Sequence, residues 1–189
     1  MKFNSRLIIF TFILIAVTTL CKFFFGPRLG WSGFSPVIAI GLFSGMLIND
    51  KSKSFFLPLI AVFASDMIIE LLYAAGAFPY SGLYSYQFVN YSLLLATTLV
   101  GWALKGRNYT SLIVGSFTAP TLFFLLSNFV AWKIDTHNMY PNTIDGLLNS
   151  YVNGLPFYRN ALAATFIFLP GILIAYNYII KKALTLRLA

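Results

Sequence analysis

Long apolar runs separated by short polar breaks dominate this chain. A membrane-spanning helix needs about 20 mainly apolar residues. Six segments reach or approach that length: Arg6 to Phe25, Ser35 to Asn49, Ser54 to Gly76, Gln87 to Leu104, Tyr109 to Trp132 and Asn160 to Ile180. The second is short. Together they use most of the sequence, which predicts an all-α membrane protein with six transmembrane helices in one domain, residues 1–189. No internal repeat or low-complexity linker interrupts the pattern.

Composition sharpens the class. Of 189 residues, 59% are hydrophobic and 10% charged, against roughly 25% charged in an ordinary soluble domain. Mean hydropathy is +0.80. So few charges cannot cover so much apolar surface in water. This excludes a soluble enzyme, a nucleic-acid binder and a disordered tail. One Cys excludes an internal disulfide, and one His excludes a His-rich metal site.

The first segment has signal-peptide flanks in Lys2 and Arg6. Its apolar run continues through Phe23, Phe24 and Phe25, and no A-x-A cleavage pattern follows. Leu20 is also too large for a lipoprotein site before Cys21. A retained helix is expected.

The charges orient the bundle. Lys2, Arg6, Lys51, Lys53, Lys105, Arg107, Lys181, Lys182 and Arg187 fall on one side if six helices alternate. Lys22, Arg28, Lys133 and Arg159 fall on the other. The positive-inside rule then places both termini in the cytoplasm of a membrane crossed several times. Cytoplasmic loops are tight, as at 49–53 and 105–108. The outer connections 26–34, 77–86 and 133–159 are longer. The Asn108-Tyr109-Thr110 glycosylation sequon lies on the cytoplasmic side and carries no weight.

Within the last outer loop, Thr143 precedes Ile144, Leu147, Leu148, Tyr151 and Val152 at helical spacing. Asp145 suits the positive end of that helix. Gly154 and Pro156 are read as its stop. A short amphipathic helix is expected here, either a lid on the outer face or a helix resting in the headgroups.

Asp66 and Glu70 do not belong in lipid. Each acid at a bilayer centre costs about 2.5–3.5 kcal/mol on insertion scales. Four residues apart, they share a helix face, which should point into the bundle. Helix direction places Glu70, Asn90, Asn128, Arg159 and Asn160 at similar outer depth, with Ser127 and Trp132 nearby. This predicts a polar pocket opening outward. The alternative is a network that only ties helices together.

Aromatics enrich the same side: Trp31, Phe78, Tyr80, Tyr84, Tyr86, Tyr91, Trp132, Tyr140, Tyr151, Phe157 and Tyr158. An interfacial belt explains most of them, and a stacking cage for a flat ligand is the sharper reading. Gly41 and Gly45 permit close helix approach. Pro120 and Pro170 are expected to kink their helices. No P-loop, H-E-x-x-H or G-x-S-x-G motif occurs. His137 reads as a solvated loop residue and Cys21 as a packed one. No cofactor or metal is expected, and an intramembrane enzyme using Asp66 and Glu70 as acid and base lacks a nucleophile.

Several short pieces resemble a family of bacterial membrane proteins of unknown function regarded as transport proteins. They are Phe34-Ser35-Pro36 with Ala39, Leu42, Phe43 and Gly45; Pro58-Leu59; Ser65-Asp66; Ser127-Asn128-Phe129 with Trp132; and Tyr140-Pro141, Thr143, Gly146-Leu147, Tyr151, Leu155-Pro156-Phe157 and Asn160. The layout is also similar to the substrate-binding S components of energy-coupling factor transporters. That resemblance implies six helices, a vitamin or metal ion held near the outer face, and a separate transmembrane and ATPase module. The missing P-loop agrees. Helix 1 departs from the A-x-x-x-A docking pattern, having only Ala16 with Thr18 and Thr19.

The expected function is capture of a small, vitamin-like micronutrient from outside by a membrane-embedded transport protein that is not an enzyme. Its expected partners are membrane lipid, the small molecule and a separate energising module, with no nucleic acid. The expected binding residues are Asp66, Glu70, Asn90, Asn128, Trp132, Tyr140, Tyr151, Arg159 and Asn160. Acids would orient donors on the ligand, Arg159 would answer a carboxylate or balance Glu70, and Tyr140 and Tyr151 would close over it. The alternative is a non-transporting subunit of a larger membrane complex.

Overall fold

A computed structural model describes residues 5–104, 109–134 and 139–181. Lys2, Lys105, Arg107, Asn108, His137, Lys182 and Arg187, and the Lys181 side chain, lie outside the described residues. The described chain is all helical: α1 Ser5–Phe25, α2 Val37–Leu47, α3 Lys51–Ala74, α4 Gln87–Ala103, α5 Tyr109–Lys133 and α6 Ile144–Tyr176, then a π-helical turn at Asn177–Lys181. Four of these helices (α1, α3, α5 and α6) are long and apolar enough to cross a membrane. Their outward faces are apolar too. Phe12, Phe56, Phe63, Phe117, Leu125 and Ile167 are all exposed. Four helices of this length and composition, with an apolar exterior of this extent, suggest a membrane protein.

The bundle is organised around α2. Every residue from Ile38 to Met46 is buried. At 1.5 Å per residue its 11 residues rise only about 16 Å, roughly half a bilayer core. A non-helical segment leads into it. Gly33 and Ser35 lie against the interior, and Pro36 is buried at the start of α2. This non-helical stretch turns on its own hydrogen bonds, such as Trp31 N–H to Arg28 C=O (2.9 Å) and Phe34 N–H to Trp31 C=O (2.9 Å).

Apolar burial drives helix association weakly when lipid is the alternative solvent, so close packing must carry it. The glycine pattern on α2 does this against α4. A Cβ on Gly45 would come 2.0 Å from the Thr98 carbonyl oxygen, and one on Gly101 2.4 Å from that of Leu42. Tyr176 packs edge to face on Phe10 and Phe43, which tilt against each other, with all three centroid distances 5.2–5.6 Å.

Two expectations need correction. The loop between α2 and α3 is shorter than 49–53, because Asp50 accepts a hydrogen bond from Lys53 N–H (3.1 Å) and caps a helix starting at Lys51. Such a carboxylate satisfies one of the orphan donors of a first turn. The separate amphipathic helix of the last outer loop is also absent. Residues 144–176 form one helix. Thr143 caps it as expected, accepting from Gly146 N–H (3.2 Å). Gly154 does not stop it. It is buried against Asn128 of α5, where a Cβ would lie 2.3 Å from the amide oxygen. Pro156 removes one internal bond, and contact with α5 carries the helix through. The Gly146, Ser150 and Gly154 edge packs inward, while Ile144, Leu148, Val152 and Leu155 are exposed. This segment runs along α5 and does not form a lid.

Candidate functional site

The last turn of α1 carries Lys22, and the middle of α3 carries Asp66. Asp66 is 6% exposed, and the Lys22 ammonium donates to its Oδ1 in an ion pair. The other carboxylate oxygen faces α4. Gln87 Nε2 donates to Oδ2 at 2.6 Å and the Tyr91 hydroxyl at 2.7 Å. Gln87 is the first residue of α4, with Tyr91 one turn later. Tyr86 just before it adopts a left-handed backbone (φ 69°), an uncommon state for a residue with a side chain. A buried carboxylate is tolerable only when paired and hydrogen-bonded, and Asp66 is both.

Glu70 sits one turn nearer the 77–86 loop and serves it. Its Oε2 accepts from Ser81 Oγ (2.5 Å) and Leu83 N–H (3.1 Å). Gly82 lies on the α3 backbone, where a Cβ would be 2.2 Å from the Asp66 carbonyl oxygen. Phe78 is buried and stacks on Phe23 at 5.6 Å. These contacts hold the loop over one side of a partly open cavity.

That cavity has a volume of about 750 Å³ and is walled by the end of α1, the 26–36 segment, the start of α2, α3, the 77–86 loop, α4, α5 and α6. Its lining is chiefly apolar and aromatic, including Tyr80, Tyr91, Phe124 and Tyr158. Phe124 and Tyr158 stack at 4.7 Å, and Tyr158 shares a 2.7 Å hydroxyl contact with Thr121. Lys22 and Asp66 are the charged residues of the lining.

Of the residues expected from sequence, Asp66, Asn90 and Asn128 line this cavity. Asn90 Nδ2 donates to the Tyr84 hydroxyl at 2.6 Å. Asn128 Nδ2 donates to Phe124 C=O at 2.8 Å, and its Oδ1 accepts no hydrogen bond within the described residues. The others lie outside the lining. Glu70 anchors the loop. Trp132 Nε1 donates to Pro141 C=O (3.0 Å). Tyr151 donates to Leu125 C=O (3.2 Å), and Asn153 reaches the Tyr140 hydroxyl at 3.4 Å. Arg159 is exposed. Asn160 is buried and donates to the carbonyls of Gly30 (3.0 Å) and Ser32 (2.9 Å). It thus satisfies backbone of the non-helical segment that leads into α2.

Lys22 and Gln87 were not expected at the site, whereas Tyr158 belongs to the aromatic set read as a stacking cage. Lys22 had been placed only as an outer-side charge, although it too lies near the end of its helix. Gln87 begins a helix, where a polar residue reads as a terminus signal.

The profile of the Family of unknown function (DUF6580) matches residues 1–186. No curated protein and no solved structure matches the chain. The family match bears on the resemblance to proteins of unknown function and carries no link to S components. The chain belongs to the Family of unknown function (DUF6580).

Proposed function

We propose that this protein captures a small organic molecule inside a bacterial cytoplasmic membrane and passes it inward, as a substrate-binding transport protein. One observation carries the reading. A cavity of about 750 Å³, walled by aromatic side chains, holds a partly buried ion pair within a bundle whose outer surface is apolar. Membrane proteins place ionisable groups there chiefly where function requires them, and the volume suits a small-molecule site. The charge asymmetry of the loops supports an outward-facing mouth and cytoplasmic termini. Lacking a P-loop, the chain would draw on an ion gradient or a separate ATPase module.

The test is thermal unfolding of the purified, lipid-reconstituted protein against a panel of vitamins and related micronutrients. A true ligand at a hundred times its Kd adds about 2.7 kcal/mol. Asn128→Ala removes an acceptor in the cavity and should weaken binding about tenfold. Absence of any ligand-induced shift, with growth on limiting micronutrients unchanged by D66A and N128A, would contradict the proposal.

A second reading has its own support. The Asp66 carboxylate already receives three donors, from α1 and α4, as a purely structural knot would. On that reading the protein is a non-transporting subunit of a larger complex. Copurification in fixed stoichiometry with a membrane protein unrelated to an ATPase module would favour it.

A further inference from the structure

We infer that the cavity takes an uncharged, flat nitrogen heterocycle carrying lactam-type N–H and C=O groups. This inference rests on the capture reading above and specifies its ligand. Charge is the first argument. The lining holds one cation and one anion, Lys22 and Asp66, and they are paired with each other. Arg159 and Glu70 lie outside the lining. A ligand carboxylate or ammonium would therefore enter the cavity with no free countercharge among the described lining residues, at a large desolvation cost. A neutral ligand avoids that cost.

Hydrogen bonding is the second argument, and it is independent. The amide of Gln87 has its orientation fixed by the Asp66 carboxylate, which can only accept and so demands the NH₂ end. The other end, Oε1, is left without a partner among the described residues, in a side chain that is buried (6% exposed). An unsatisfied buried acceptor costs about 1–3 kcal/mol. The Asn128 carbonyl oxygen on α5 packs beside Gly154 and accepts no hydrogen bond from the described residues, and the Ser35 hydroxyl has no partner among them. The site thus offers acceptors at Gln87 and Asn128 that need donors. Lys22 uses one N–H on Asp66 and retains two for ligand carbonyls. A molecule with both N–H and C=O, and no charge, answers this set. The walls add the shape: Phe124 and Tyr158 come from α5 and α6, and Tyr80, Tyr84 and Tyr91 from the loop and α4. Aromatic side chains of this kind favour a flat π-system.

Calorimetric titration of the full-length protein in lipid nanodiscs tests this with hypoxanthine, caffeine and orotate. Hypoxanthine is a neutral lactam with free N–H groups. Caffeine keeps the flat bicycle and loses the N–H donors, and orotate adds a carboxylate. The expected order places hypoxanthine at least tenfold tighter than either. Asn128→Ala should reduce that preference over caffeine about tenfold. Gln87→Leu should do the same, and Asn128→Ala stands alone if the Gln87 variant does not fold. Tighter binding of orotate or caffeine overturns the inference. If none of the three binds while a charged or non-lactam vitamin does, the inference falls and capture stands. If nothing binds at all, both fall.

Discussion

At the scale of single residues, the Lys22–Asp66 pair sets the character of the interior. Removing one member of a buried pair leaves the other charge stranded and costs about 3–5 kcal/mol. Asp66→Ala should therefore lower stability by about 3 kcal/mol. The double variant K22A/D66A should lose clearly less than the sum of the two singles, measured by unfolding in detergent. Additive losses would show that the pair is not coupled. Asp50 gives a different, pH-dependent expectation. The Lys53 backbone N–H, first, and then the Lys53 side chain hold its carboxyl below the usual carboxylate range. A folded value below the unfolded one means the stabilisation is present above about pH 4. It is lost as pH falls through the folded value. In D50N, the difference in Tm from the parent should be largest near neutral pH and vanish in acid.

Asp66 was legible in sequence because an acid in an apolar helix is conspicuous. Its partners were less so. Helix direction gives a residue's depth, but not the rotation of its side chain around the helix axis. Glu70, Arg159 and Asn160 share the depth of Asn90 and Asn128, yet face a loop, the exterior and the 26–36 backbone respectively. Lys22 shares that depth on α1 and turns inward.

At the scale of elements, close backbone approach replaces hydrophobic burial. Gly101 meets Leu42 C=O and Gly45 Cα from α2, both of which are backbone atoms that cannot rotate away. Gly101→Ala should cost about 1–3 kcal/mol through overpacking. Gly171→Ala, where a Cβ meets nothing within 4 Å, should be neutral or stabilise by about 0.5–1 kcal/mol through helix propensity. The same denaturation series checks both, and equal effects would contradict this packing account. Helices α1, α4 and α5 were readable nearly to their ends, since uninterrupted apolar runs leave little choice. The fusion of 144–176 was not readable. Gly154 and Pro156 are stop signals by local rules, and only the facing Asn128 turns Gly154 into a packing residue. The short α2 likewise depends on a non-helical lead-in whose carbonyls are satisfied by distant Asn160.

At the scale of the whole molecule, the capture proposal requires the cavity, the 77–86 loop and the start of α6 to face outward. In a cysteine-free Cys21→Ser background, a cysteine at exposed Ser85 should react with a membrane-impermeant maleimide in intact cells. A cysteine at exposed Ser52 should react only after permeabilisation. The reverse pattern would invert the orientation and turn the proposed uptake into release. The central claim is that the space between α1 and α3 to α6 is occupied by a small molecule. A high-resolution map of the lipid-embedded protein with hypoxanthine tests it most directly. Capture predicts flat, compact density beside Lys22, Gln87 and Asn128, stacked along Tyr158. A cavity closed by its own side chains, or threaded by a lipid tail, would contradict it.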